Sequence, residues 1–171
     1  MAKAQVLDVT PKPKEKLKTG IDTQSREKIA KHLSVALART YILVVKSHLY
    51  HWNVVGPLFK SIHDLTEAHY EDMFAAADVI AERIRALGYQ APVDAGDFGI
   101  SLADVLPKGK MPSAADMISD LVSDHEAISA QFRDIAGFAG DADDLVTEDM
   151  LTARIAFHEQ ASWMLRALLA E

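Results

Sequence analysis

The chain has 171 residues, 49% of them apolar, with no cysteine and a formal net charge of −7. That composition fits one soluble domain with a buried core. It excludes disulfides, thiolate metal sites and iron–sulfur clusters, and no apolar run is long enough to span a membrane. The charge is uneven: residues 1–20 hold five lysines (Lys3, Lys12, Lys14, Lys16, Lys18) against Asp8 and Glu15, so the body is acidic and the tail basic. No apolar secretory stretch opens the chain, which points to the cytoplasm.

Residues 1–21, with "PKPKEKLKTG", have two prolines and no apolar period, and are expected to form a disordered tail. Residues 22–171 are expected to form one bundle. Asp22 or Ser25 caps a first helix, with Ile29, Leu33, Leu37, Thr40, Val44 and His48 on one face. Val35, Ile42, Val45 and Leu49 form a second apolar face, so this helix should be covered on two sides. "NVVGP" ends it near Asn53. A second helix runs from about Phe59 to Leu87 and stops at Gly88, a suitable residue just past a helix end.

A linker of roughly 25 residues follows, and "SLADVL" within it fits a short helix. Ser113 caps a third helix with Ile118, Leu121, His125, Ile128, Phe132 and Ile135 on one face. "GDADD" breaks it, and Thr147 is the expected cap of a fourth helix carrying Leu151, Ile155, Met164, Leu165 and Leu168. No strand pattern appears. Short, long and short connections imply an all-α four-helix bundle with one long crossover, the ferritin-like arrangement.

The second helix carries the chemistry. On a wheel of 100° per residue, Ile62, Leu65, His69, Met73, Ala76, Ile80, Ile84 and Leu87 form the core stripe. His63, Glu67, Asp78 and Glu82 form another line about 160° away, with Tyr70, Phe74, Ala77 and Ala81 on or beside it. No histidine has a glutamate three residues before it, so the inward Glu-x-x-His pairs of an intrachain di-iron site are absent. A face that is partly apolar and rich in ligand-type residues, yet outward, reads as a subunit interface.

Spacing sets the next step. His63 and Glu67 stand one turn apart, as do Asp78 and Glu82, but Glu67 and Asp78 are roughly 16 Å apart along a helix. Against an antiparallel copy of the same helix, His63 falls opposite Glu82 in the register that sets Glu67 opposite Asp78. The two pairs share one midpoint, between Asp72 and Met73. A two-fold axis there makes two identical sites between subunits.

The stretch "HWNVVGPLFKSIHDLTEAHYEDMFAAADVIAERIRALG" (51–88) resembles the signature of the Dps family, the DNA-protection miniferritins. "HEQASWMLRALL" (158–169) resembles that family's last helix. The resemblance implies a hollow dodecamer with an iron-oxidising site at each dimer two-fold. Its ligands would be His51, His63 and Glu67 from one subunit, with Asp78 and Glu82 from the partner; many members have Asp at the third place. It implies a ferroxidase that oxidises Fe(II), with hydrogen peroxide the preferred oxidant, and stores ferric oxide in the shell. Carboxylate and imidazole donors without thiolate suit Fe(II).

Trp52, beside His51, is a candidate electron donor when oxidation is mismatched, or an aromatic packed at a helix end. Asp144 and Asp149, at the start of the fourth helix, are the resemblance's candidates for an iron-entry pore, or simply acids favoured by the helix dipole. His48, His69 and His125 lie on apolar stripes and read as satisfied core residues. The tail lysines suit phosphate contact without base reading, which implies non-sequence-specific DNA as partner and the nucleoid as location. The alternative function is a non-enzymatic nucleoid protein that shields DNA through those tails.

Overall fold

The computed structural model describes residues 17–92 and 109–170. The tail over residues 1–16 and the short helix expected in "SLADVL" lie outside the described residues. Among the described residues there are four helices and no strand. They are α1 (Thr23–Asn53), α2 (Phe59–Ala86), α3 (Ala114–Asp141) and α4 (Leu145–Ala167). None of them is long and apolar enough to cross a membrane.

The starts follow capping chemistry. Asp22 accepts from the backbone N–H groups of Gln24 and Ser25 at 2.8 and 3.0 Å, satisfying donors that a helix start leaves open. Ser113 does the same for Asp116. Gly88 follows the C-cap Leu87 with φ of 93°, a conformation that L side chains rarely adopt. A Cβ there would also sit 2.7 Å from the Leu17 side chain.

Two hairpins, α1–α2 and α3–α4, pack together chiefly along an α1–α3 seam. Lys46 of α1 reaches Asp120 and Asp124 near the start of α3, so α1 and α3 run antiparallel. Arg83 near the end of α2 reaches Asp144, and Arg154 reaches back to Asp72, so α2 and α4 are antiparallel as well. Hence α2 and α3 run parallel, as the long crossover requires.

The expected core faces are mostly buried, including Ile29, Leu33, Leu37 and Val44 of α1 and all six expected positions of α3. The second face of α1 (Val35, Ile42, Val45, Leu49) is only half-covered within one chain. Met164 departs from expectation: it is exposed beside Trp163 at the outer end of α4. Lys46 is buried, and its ammonium is compensated by the two aspartates at 2.9 and 2.5 Å, while the Tyr50 hydroxyl donates to Asp120 at 2.6 Å.

The fourth helix begins differently from expectation. Asp144, not Thr147, is its N-cap, and Asp144 is buried. Its Oδ1 accepts from the Thr147 N–H at 3.0 Å and from Arg83 at 2.6 Å, and its Oδ2 accepts from the Thr147 hydroxyl at 2.5 Å. Thr147 is therefore the capped residue, and the Arg83 guanidinium donates to both side chains.

His125 and His158 are buried, and burial drives their pKa values down to about 2 and about 3. Both rings are thus neutral in the folded bundle, but titrate near 6.5 when unfolded. As pH falls below that value the unfolded chain takes up two protons that the folded chain refuses until about pH 3. Folding stability should therefore decline with acidity from pH 6 towards pH 4, with a slope of roughly 3 kcal/mol per pH unit from these two groups. Denaturant midpoints measured across that range should show the decline and show it flattened in His125→Phe. An unchanged slope in that variant would contradict the assignment.

Candidate metal centre at the outward face of the second helix

His51 lies in the last turn of α1 and His63 in the first turns of α2, so the short turn between the helices brings them together. Their rings stack with centroids 3.7 Å apart and planes 16° off parallel. Each ring also bonds to the other residue's backbone: His51 Nδ1 lies 2.8 Å from the His63 carbonyl, and His63 Nδ1 lies 3.0 Å from the His51 carbonyl. A carbonyl only accepts, so each Nδ1 must carry the proton. That tautomer leaves Nε2 as the nitrogen through which each ring can bind a metal.

Glu67 follows His63 by one helical turn and is exposed. Asp78 and Glu82 lie further along the same helix and are exposed too, while Ile62, His69, Met73, Ala76, Ile80 and Ile84 are buried on the opposite side. The two faces of α2 therefore separate as the wheel requires. One position departs from it: Ala77 is fully buried, so it belongs to the flank of the core and not to the outward line. Phe74, at the centre of that line, is 61% exposed, and the exposed Tyr41 ring of α1 meets it edge-on at 6.4 Å. Among the described residues, no three His, Asp or Glu side chains of one chain are grouped to hold an ion. One chain thus brings His51, His63 and Glu67 to one end of the face and Asp78 and Glu82 to the other.

Aromatic rings surround the histidine end. Tyr70 stacks on His48 at 3.8 Å and meets His51 edge-on at 5.4 Å. Trp52 is exposed, with its ring 5.3 Å from His48. Burial, followed by the Glu67 and Glu71 carboxylates, pushes the Tyr70 phenol up. His48 is thus a half-buried stacking partner. His69 and His125 are buried as expected but are not fully satisfied: among the described residues His69 Nδ1 and His125 Nε2 have no hydrogen-bond partner, while His125 Nδ1 bonds His158. The reciprocal histidine–carbonyl bonds and the stack on Tyr70 had no counterpart in the sequence reading.

The two acids read as pore residues separate. Asp149 is exposed on α4. Asp144 is buried and both its oxygens are engaged, so it is a structural residue of this chain. Burial raises its pKa, but the bonds from Arg83 and Thr147 outweigh this and hold it below the usual carboxylate value. Of the tail lysines, only Lys18 lies among the described residues, and it is exposed.

The helix order and the parallel α2–α3 pair define a ferritin-like bundle, and a family model described as a ferritin-like domain matches residues 30–171. The DNA protection during starvation protein of Brevibacillus brevis is 33% identical over 86% of this chain and 98% of its own. A low temperature-induced protein of Nostoc is 38% identical over 90% of this chain and 87% of its own. The solved Dps structure from Bacillus brevis superposes with a TM-score of 0.79 at 31% identity, covering 88% of this chain and all of that one. A Vibrio cholerae Dps structure, described as a member of a broad superfamily of ferritin-like diiron-carboxylate proteins, gives 0.78 at 27% identity, over 88% and 94% of the two chains. The chain belongs to the Dps family of ferritin-like proteins.

Proposed function

We infer that the protein is a Dps-type ferroxidase that takes Fe(II) as substrate between two subunits, stores the ferric product in a shell and protects DNA. The observation that carries this reading is the histidine pair whose Nδ1 atoms donate to backbone carbonyls, leaving Nε2 of each ring as the metal-binding nitrogen one helical turn from Glu67. On the same outward face, Asp78 and Glu82 supply the hard oxygen donors that Fe(II) prefers to share with imidazole. The antiparallel register about Asp72 and Met73 would join the two halves across a two-fold axis, and the exposed Phe74 supplies apolar area for that contact.

In the reaction two Fe(II) each give one electron to one hydrogen peroxide, yielding two Fe(III) and two hydroxides. Paired transfer avoids the hydroxyl radical that single-electron reduction releases. His51, His63 and Glu67 bind and orient the metal, the partner's Asp78 and Glu82 offset its charge, and Trp52, next to His51 in the chain, is the candidate electron donor when only one iron is present. The ferric product hydrolyses into a mineral within a dodecameric shell, and Asp149 is the remaining candidate for the iron-entry pore. Anaerobic Fe(II) titration followed by peroxide tests this: two Fe(II) consumed per peroxide supports it, and a one-to-one ratio with hydroxyl radical released would overturn it.

A second activity rests on the tail. Five lysines in the first 18 residues suit the DNA phosphates, and twelve tails on one shell sum weak contacts. Removing residues 1–18 should weaken DNA binding and flatten its salt dependence, while iron oxidation is spared. A gel shift at several salt concentrations is the measurement. Equal shifts by full-length and truncated shells at every salt concentration would show that the tail is only solubilising.

A further inference from the structure

Rings run in contact from an exposed indole to the candidate iron ligands. The exposed Trp52 ring lies 5.3 Å from the His48 ring, centroid to centroid. His48 stacks on Tyr70 at 3.8 Å, with the planes 25° apart. Tyr70 meets His51 edge-on at 5.4 Å, and His51 stacks on His63 at 3.7 Å. His48 stands three residues before His51 on α1, and Tyr70 three residues after Glu67 on α2, so helical spacing sets both beside ligand positions. The Glu67 and Glu71 carboxylates both act on the Tyr70 phenol. Glu71 is not among the ligands, so its charge persists when iron is bound and makes an electron easier to remove from the ring. Tyr50 and Tyr89 are engaged elsewhere: Tyr50 donates to Asp120 of α3, and Tyr89 to the Thr23 carbonyl.

We propose, resting on the ferroxidase reading of this face, that Tyr70 is the electron donor next to the iron and that His48 bridges it to Trp52. When a site holds a single Fe(II), the metal supplies one of the two electrons that hydrogen peroxide takes up, and Tyr70 supplies the other. The O–O bond breaks, and the phenol loses its proton to one of the two hydroxides formed. One Fe(II), one Tyr70 phenol and one peroxide thus give one Fe(III), one tyrosyl radical, one hydroxide and one water. No hydroxyl radical leaves the site. Trp52 then returns an electron to Tyr70 across the His48 ring. The phenoxyl takes up a proton as the indole N–H releases one, so the radical ends on the exposed residue and away from the ligands. His48 is the spacer that keeps the two redox-active rings in contact, and is not itself oxidised.

The test is rapid freeze-quench electron paramagnetic resonance on assembled shells given one Fe(II) per interface site and then hydrogen peroxide. A tyrosyl signal is expected that narrows when the tyrosines carry ring deuterium. It should be lost in Tyr70→Phe, which keeps the ring and removes only the hydroxyl, and spin-trapped hydroxyl radical should rise in that variant. In Trp52→Phe the tyrosyl signal should last longer, because its refilling electron is gone. A tyrosyl signal of equal size in Tyr70→Phe would overturn the proposal, as would the absence of one from both wild type and Trp52→Phe. Wild-type shells that consume two Fe(II) per peroxide at full loading would keep the ferroxidase reading even then. Wild-type shells that do not would lose both.

Discussion

Shells built only from His63→Ala/Glu67→Ala chains will oxidise Fe(II) roughly tenfold or more slowly than wild type, because each site has lost two ligands. Shells built only from Asp78→Ala/Glu82→Ala chains will fail by a similar factor. Each homodimer then holds two half-sites. When the two variants are assembled together, a mixed dimer sets the first chain's intact Asp78 and Glu82 opposite the second chain's intact His63 and Glu67. One complete site returns and its twin is left with neither half. Activity should therefore recover to at most about half of wild type when every dimer is mixed, as two-fold symmetry dictates. Peroxide-dependent Fe(II) oxidation by co-refolded shells is the measurement. A site contained in one polypeptide would give no recovery, since every chain would carry its own defect.

The second large effect concerns stability. Asp144→Ala removes the cap of α4 and strands the partly buried Arg83, whose Nε also donates to Thr147. Removing one partner of such a pair should cost on the order of 3 kcal/mol. Asp144→Asn keeps a capping oxygen and loses only the charge, so it should cost less. The pH dependence follows from the lowered pKa: the contribution is fully present above the ordinary carboxylate value near 3.8 and is lost as pH falls through the lower folded value. Asp149→Ala should leave stability unchanged and, if Asp149 lines an entry pore, slow iron uptake. Thermal and denaturant unfolding of the three variants checks this, and an Asp144→Ala chain as stable as wild type would refute the structural role.

The split between these two acids explains what the sequence conveys and what it withholds. The outward line of α2 was legible because helical period alone sorts His63, Glu67, Asp78 and Glu82 away from Ile62, Met73 and Ile80. The shared midpoint of the two pairs needs no tertiary information either. Asp144, by contrast, looks like any acid in "GDADD". Its burial is decided by Arg83, 61 residues earlier in the chain. Lys46 is hidden in the same way, since the aspartates that allow a buried ammonium lie on another helix. The histidine tautomers at 51 and 63 depend on carbonyls brought close by the α1–α2 turn, which no periodicity reports. Pattern therefore marks out the candidate ligand face, while long-range pairing decides which polar groups are engaged within the chain.

The division of the iron site between copies of the chain is tested most directly by resolving the protein by particle mass and assaying each fraction. Peroxide-dependent Fe(II) oxidation should accompany dimers and the dodecameric shell, and be absent from any folded monomer. A stable monomer with full activity per chain would contradict it, because His51, His63 and Glu67 of one chain do not meet its own Asp78 and Glu82.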